Sequence, residues 1–221
     1  MYQVKKVNEP PALNAGWDSA AWNSAEIIRI DTVRPESTAH HPATNCKMLH
    51  DNLNIYGLFQ VKDRYVRAVT ENYNEQVCKD SCVEFFVEPS VKCGYFNFEF
   101  SANGTFLLYH VRDHRRGHNG FADFNPVSAK SAGRIQVFHS LSGKIDPEID
   151  VPTTWELGFK IPLALFADET KQEINELSGK TWRANFYKCG DKTSHPHWIS
   201  WQPIDQKNFH LPENFGEISF E

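Results

Sequence analysis

Between residues 82 and 111 the side chains alternate, and that alternation limits what the chain can become. Val83, Phe85 and Val87 are interleaved with Glu84, Phe86 and Glu88; Phe96, Phe98 and Phe100 are interleaved with Asn97 and Glu99 and flanked by Tyr95 and Ser101. Successive residues of a strand face opposite sides of its sheet, so a period of two describes strands with one face on a core. Asn103-Gly104 follows at once, the favoured pair for a two-residue hairpin turn in which both positions need positive φ. Residues 105–111 then return. The segment reads as three consecutive antiparallel strands, with a loop at residues 89–94.

Shorter strands are expected at 26–30, 53–61, 64–70 after a turn at Lys62-Asp63, 134–139, 155–161, 182–188 and 216–221. Only residues 163–177 have a helical character. The expected fold is therefore all-β: an antiparallel β-sandwich with one short helix and long loops. No Ser-, Gly- or Pro-rich linker and no repeat divides the sequence, so residues 1–221 read as a single domain. The long loops are residues 33–49, 114–134, 140–154 and 189–215, and binding residues tend to lie on such segments.

Charge removes some classes of partner. The chain has a net charge of −5 and no basic run, which argues against a nucleic-acid groove. No apolar stretch approaches the roughly 20 residues of a membrane-spanning helix. Met1-Tyr2-Gln3-Val4-Lys5-Lys6 lacks the apolar core of a signal peptide. The compartment is left open: cytoplasm for the chain as written, periplasm or exterior if a leader has been removed. The five cysteines, Cys46, Cys78, Cys82, Cys93 and Cys189, are odd in number and argue against a full disulfide framework. Cys78 and Cys82 lack the C-x-x-C spacing of a zinc knuckle. They read as free thiols, with room for one bridge that the sequence does not place.

Several motifs along the chain form a familiar order. Trp17 and Trp22 precede the first expected strand. Asp80-Ser81-Cys82-Val83-Glu84-Phe85-Phe86-Val87 comes next, then Trp155-Glu156-Leu157-Gly158-Phe159-Lys160-Ile161-Pro162. Gly179-Lys180-Thr181-Trp182-Arg183-Ala184-Asn185-Phe186-Tyr187 follows, then Ser200-Trp201-Gln202-Pro203, and the chain closes on Phe209-His210-x-Pro212-Glu213-x-Phe215-Gly216. In this order the set resembles the family 9 carbohydrate-binding modules and their relatives, from Trp17 to Phe220. The resemblance implies a non-catalytic module that holds a sugar, often at a chain end, on a concave sheet face in support of polysaccharide breakdown by glycoside hydrolases. It implies a mono- or oligosaccharide as partner and, for some members, structural calcium. The best-studied type clamps the sugar between two tryptophans, one placed before the D-x-x-V-E-F strand. Here residues 73–79 hold only Tyr73 as a ring, with Cys78 near the expected position, whereas the late loop carries Trp198 and Trp201.

Sugar binding needs aromatic faces for the C–H side of a pyranose and fixed polar groups for its hydroxyls. With 16 Phe, 7 Tyr and 6 Trp, the chain has rings for both a core and a ligand face. Trp17, Trp22, Trp155 and Trp182 read as core anchors; Trp198 or Trp201 is the candidate platform. Glu84, Asn97 and Glu99 oppose the buried alternation and would share one sheet face, either as hydroxyl acceptors or as a solvated outer surface. Arg183 and Tyr187, which alternate with Asn185, could join them.

Other chemistries have weaker support. His110, His114 and His118 would align on a helix, but Arg115-Arg116-Gly117 and Asn119-Gly120 read as loop. His195-Pro196-His197 needs a distant third ligand to hold zinc. Asp80, Asp123, Asp146, Glu148 and Asp150 could offer oxygens to calcium but lack a regular calcium-loop spacing. No hydrolase, metalloprotease or phosphate-loop motif occurs. The alternatives are a glycan-processing enzyme, either a glycoside hydrolase or an accessory factor, and a haem-binding electron-transfer sandwich using Met48 with His41 or His50.

Overall fold

A computed structural model describes residues 1–118 and 120–221. Its strands are β1 (Tyr2–Lys6), β2 (Ile28–Ile30), β3 (Thr32–Val33), β4 (Ala43–His50), β5 (Asn54–Ala68), β6 (Cys82–Ser90), β7 (Gly94–Ser101), β8 (Phe106–Gly117), β9 (Gly120–Pro126), β10 (Gln136–His139), β11 (Ile145–Pro162), β12 (Thr181–Cys189), β13 (Trp198–Ser200) and β14 (Gly216–Phe220). Two short α-helices, α1 (Ala129–Ala132) and α2 (Leu163–Thr170), and three single-turn 3-10 helices at Ala20–Trp22, Val77–Lys79 and Pro212–Asn214 complete the regular structure of the described residues.

The strands form two layers. One runs β10-β11-β5-β4, with β2 on its edge; the other runs β14-β12-β6-β7-β8-β9. This is the expected all-β sandwich. β1 joins the layers: Tyr2–Val4 pair with β14 and Lys5–Lys6 with β4. Both of these pairings are parallel, an exception to the otherwise antiparallel ladders.

Phenylalanines fill the space between the layers. Phe159 of the first layer stacks on Phe85 and Phe100 of the second, at 5.6 and 5.5 Å between centroids, and Phe85 stacks on Phe186 at 5.1 Å. Phe159 lies over Gly57, its ladder partner. A methyl group at Gly57 would come within 2.1 Å of the Phe159 ring, so a glycine there is a packing requirement.

Several expectations need correction. The Asn103-Gly104 turn has positive φ at Gly104 alone, 85°, and the Gly104 N–H donates to the Ser101 carbonyl. It is a longer turn closed by a left-handed glycine, not a two-residue mirror turn. Lys62-Asp63 is no turn: β5 runs through it, paired with β11, and Asp63 is buried against charged partners. Parts of the expected loops are also strand, namely β4, β8 beyond residue 111, β9, the first half of β11, and β13. Asn119 lies outside the described residues. The helix expected over 163–177 ends at Thr170, because Lys171 takes a left-handed conformation with φ 58°.

Candidate functional site

Ladder register decides which side chains meet on the outer face of the second layer. Tyr187 lies opposite Glu84, and Glu84 lies opposite Glu99. One step along, Cys189 lies opposite Cys82 and Cys82 opposite Ser101. A step the other way, Asn185, Phe86, Asn97 and Tyr109 form a row. Directly opposed residues share a face, so Glu84, Asn97, Glu99 and Tyr187 lie together. β13 then pairs with the end of β12, setting Trp198 opposite Cys189.

These residues border a cavity of about 240 Å³ lined by Cys78, Glu84, Glu99, Arg116, Cys189, Asp191, Trp198, Lys207, Asn208, Phe209 and His210. Two other depressions have similar volumes, about 250 Å³ beside β2 and β4 and about 220 Å³ near Trp182. Size therefore does not choose among them; chemistry does. Of these three, and among the described residues, this one alone sets buried carboxyl groups under aromatic walls. Phe209 stacks on Tyr187 at 4.1 Å, and the Tyr187 hydroxyl donates to the Phe209 carbonyl. The Trp198 indole N–H donates to Asp191 at 2.7 Å, and Lys207 Nζ lies 3.2 Å from the centre of the Trp198 ring.

The floor is acidic, and burial keeps it from ionising easily. Glu84 is 2 % exposed; its Oε1 accepts from the thiols of Cys189 (3.2 Å) and Cys82 (3.8 Å), and its Oε2 has no partner. Burial, then the facing Glu99, pushes Glu84 well above the usual carboxylate range. Burial likewise raises Glu99 to about 7, against the opposing effect of the amide hydrogen bond from Asn97 at 2.7 Å. Asp191 is raised by burial too. A neutral Glu84 carboxyl can donate through one oxygen and accept through the other, a good match for a hydroxyl group.

The remaining sequence candidates take other places. Asn97 does not line the cavity; it holds Glu99 and accepts from the Tyr109 amide. Tyr187 is fully buried behind Phe209. Arg183 bonds Glu88 at 3.0 Å and the Pro212 carbonyl, outside the cavity, and so tethers the last loop. Trp201 turns to the other side of its sheet, where its ring meets Phe186 edge-on at 5.6 Å as part of the core. Phe209 was not singled out as a wall, although it stands in the closing Phe209-His210-x-Pro212 motif. Cys78, near the place expected of a first tryptophan, does line the cavity.

Among the described residues, the haem, three-histidine and calcium sets considered from the sequence are not brought together. Met48 and His50 are buried on the inner side of β4, while His41 stands exposed beside a different depression. His110 is buried against Phe96, with ring centres 4.4 Å apart. The acidic residues considered for calcium have separate partners: Asp80 with Arg67 and Thr70, Asp123 with Arg112, Asp146 with Lys144, Glu148 with Ser194, and Asp150 with Arg64. Among the described residues no helix is long and apolar enough to cross a membrane.

A two-layer sandwich carrying a ring-walled, carboxyl-floored hollow on one sheet defines a lectin-like class of protein. Residues 19–220 match the pattern of carbohydrate-binding family 9. The chain belongs to that family. It is similar to a protein from Bacteroides uniformis ATCC 8492, provisionally described as carbohydrate-binding, with 32% identity, a TM-score of 0.85, and coverage of 99% of this chain and 98% of that one. It also shares the fold of a family 9 module from Caldicellulosiruptor kristjanssonii. Its glucose complex has 14% identity, a TM-score of 0.62, and 99% and 95% coverage; its cellotriose complex has 15% identity, a TM-score of 0.61, and 100% and 93% coverage. No curated protein sequence matches the chain.

Proposed function

We propose that this cavity binds one sugar residue, free or at the end of a glycan, without altering it chemically, in support of polysaccharide breakdown. Trp198 and Phe209 offer the ring contacts. Glu84 and Glu99 take the hydroxyls, while Asn97, Tyr187 and Arg183 hold the groups that touch the ligand. The observation that carries this reading is Glu84 Oε2, fully buried yet unpartnered beneath aromatic walls. An unmet buried polar atom is costly unless something external satisfies it. The volume, about 240 Å³, falls below the roughly 300–1,000 Å³ of pockets for larger ligands and suits a single ring. Complexes of the Caldicellulosiruptor kristjanssonii module with glucose and cellotriose support the choice of these sugars as first ligands.

Calorimetric titration with glucose, cellotriose and a wider set of mono- and oligosaccharides tests the reading. Saturable binding is expected. Trp198→Ala and Glu84→Gln should each weaken it at least about tenfold, equivalent to about 1.4 kcal/mol. Trp201→Ala should keep the affinity and instead lower stability by about 2 kcal/mol through lost core packing. A folded chain that gives no heat with any of these sugars at millimolar concentration overturns the proposal.

A further inference from the structure

Two cysteines that the sugar reading leaves unused stand beside Glu84 on the cavity floor. Cys82 and Cys189 face each other across the β6–β12 ladder, and Glu84 lies one step along the same face. One ligand atom from each of the three lies within 4.8 Å of the others, and all three residues are buried. Buried cysteines are usually inert packing. Here both sulfurs point at one carboxylate oxygen, at 3.2 and 3.8 Å. Tetrahedral zinc with ordinary Zn–S and Zn–O lengths has S···O edges of about 3.5 Å, so the ligand atoms already stand close to the required spacing. Glu84 also brings its free Oε2. Glu84 and Cys189 line the cavity together with Cys78, which leaves the site open on that side.

We propose that Cys82, Glu84 and Cys189 form a three-ligand site for a thiophilic divalent cation of the zinc type, with its fourth position open to the cavity. Two sulfurs select a soft or borderline metal. Calcium, which wants six to eight oxygens, is not the expected ion. Binding displaces the two thiol protons and the Glu84 proton to solvent, leaving two thiolates and a carboxylate around a dication. Burial raises Cys82 and Glu84, and the hydrogen bond with Cys82 followed by burial raises Cys189, so the cation must compete with protons, as structural zinc does elsewhere. Glu84 is shared with the sugar reading, so the sugar titrations are run with a chelator present and the metal test turns on Cys82 and Cys189, which the sugar reading does not use.

The full chain, kept reduced with a phosphine, is titrated with Cd²⁺ and separately with Co²⁺. One equivalent of Cd²⁺ should produce an ultraviolet thiolate-to-metal charge-transfer band, and Co²⁺ the intense visible bands of a four-coordinate site. Cys189→Ser should remove most of the cadmium band; Cys93→Ser, at a thiol bonded to the Ser90 carbonyl elsewhere, should leave it intact. Glu84→Gln, nearly isosteric and so expected to fold, should keep a thiolate band but bind at least about tenfold more weakly. Circular dichroism confirms that each variant is folded. No band in the folded, reduced chain, or a band unchanged by Cys189→Ser, overturns the proposal.

Discussion

Strand β12 separates two buried charged groups that obey opposite rules. Lys188 points inward and is fully buried; its ammonium lies 2.8 Å from His197 Nε2 and 3.6 Å from Asp63, which in turn bonds His40 at 2.8 Å. The next residue, Cys189, points outward to the cavity with Glu84 and Glu99. Inside, opposite charges compensate each other. Burial alone would raise Asp63, but Lys188, His40 and the Arg64 amide together hold it well below the usual carboxylate range. Outside, among the described residues, two facing acids have only the exposed Arg116 and Lys207 at the cavity, and both acids are raised. Asp63 Oδ2 and Glu84 Oε2 both lack a hydrogen bond, but the Lys188 ammonium 3.6 Å from Asp63 compensates its charge, whereas Glu84 faces another acid. The lesson is that burial of charge marks a binding site only where the charge is left unmatched.

The sharpest test removes one partner on each side. Lys188→Met leaves Asp63 buried without its ammonium and should cost about 3–5 kcal/mol, read by urea denaturation. Glu84→Gln removes an acid that has no cation to lose, so the metal- and sugar-free chain should change by less than about 1 kcal/mol or become more stable. Equal losses in the two variants would erase the distinction between the groups.

Stability against pH should separate them next, because the slopes have opposite signs. Glu99 is raised from 4.5 to about 7, so between these values the folded chain holds a proton that the unfolded chain has released. Stability then falls as pH rises through that window, by at most on the order of 3 kcal/mol. Asp63 is lowered from 3.8. Its contribution is present above 3.8 and is lost as pH falls through its depressed folded value. Burial also lowers His197 and His210 to about 3, which makes stability rise over part of the same range, so each limb is read as the difference between the chain and its variant in thermal melts from acid to neutral pH. Glu99→Gln should flatten the upper limb and leave the lower one in place. A variant whose upper limb stays as steep would show that Glu99 is not its source.

The sequence revealed one of these groups better than the other. Alternation put Glu84, Asn97 and Glu99 on one face of β6 and β7, because strands buried on one side keep a strict period of two. The inner group was misread for a local reason: Lys62-Asp63 has turn composition, and only the distant Lys188 and His40 make it a buried strand position. Much of the first half of β11 and the end of β8 are exposed, so they carried no apolar signal and read as loop. Cys82 beside Cys189, and Trp198 beside both, depend on ladder pairing between segments far apart in the chain. Trp198 and Trp201 could not be separated without knowing that β13 ends between them and that Trp201 turns back onto Phe186.

The smallest effect concerns Lys207, which with Arg116 is one of two cations lining the cavity. Lys207 belongs to the exposed loop, and its ammonium covers the face of Trp198 at 3.2 Å. A surface contact of this kind is worth roughly 0.5–1 kcal/mol, and a sugar stacking on that face must displace it. Lys207 therefore acts as a weak competitor and does not neutralise the floor, where both acids remain raised in its presence. Lys207→Met should strengthen sugar binding by about two- to fivefold, the same free energy expressed as affinity, with no change in the upper pH limb set by Glu99. If affinity drops instead, Lys207 contacts the sugar directly, and the outer group is less short of positive charge than its buried acids indicate.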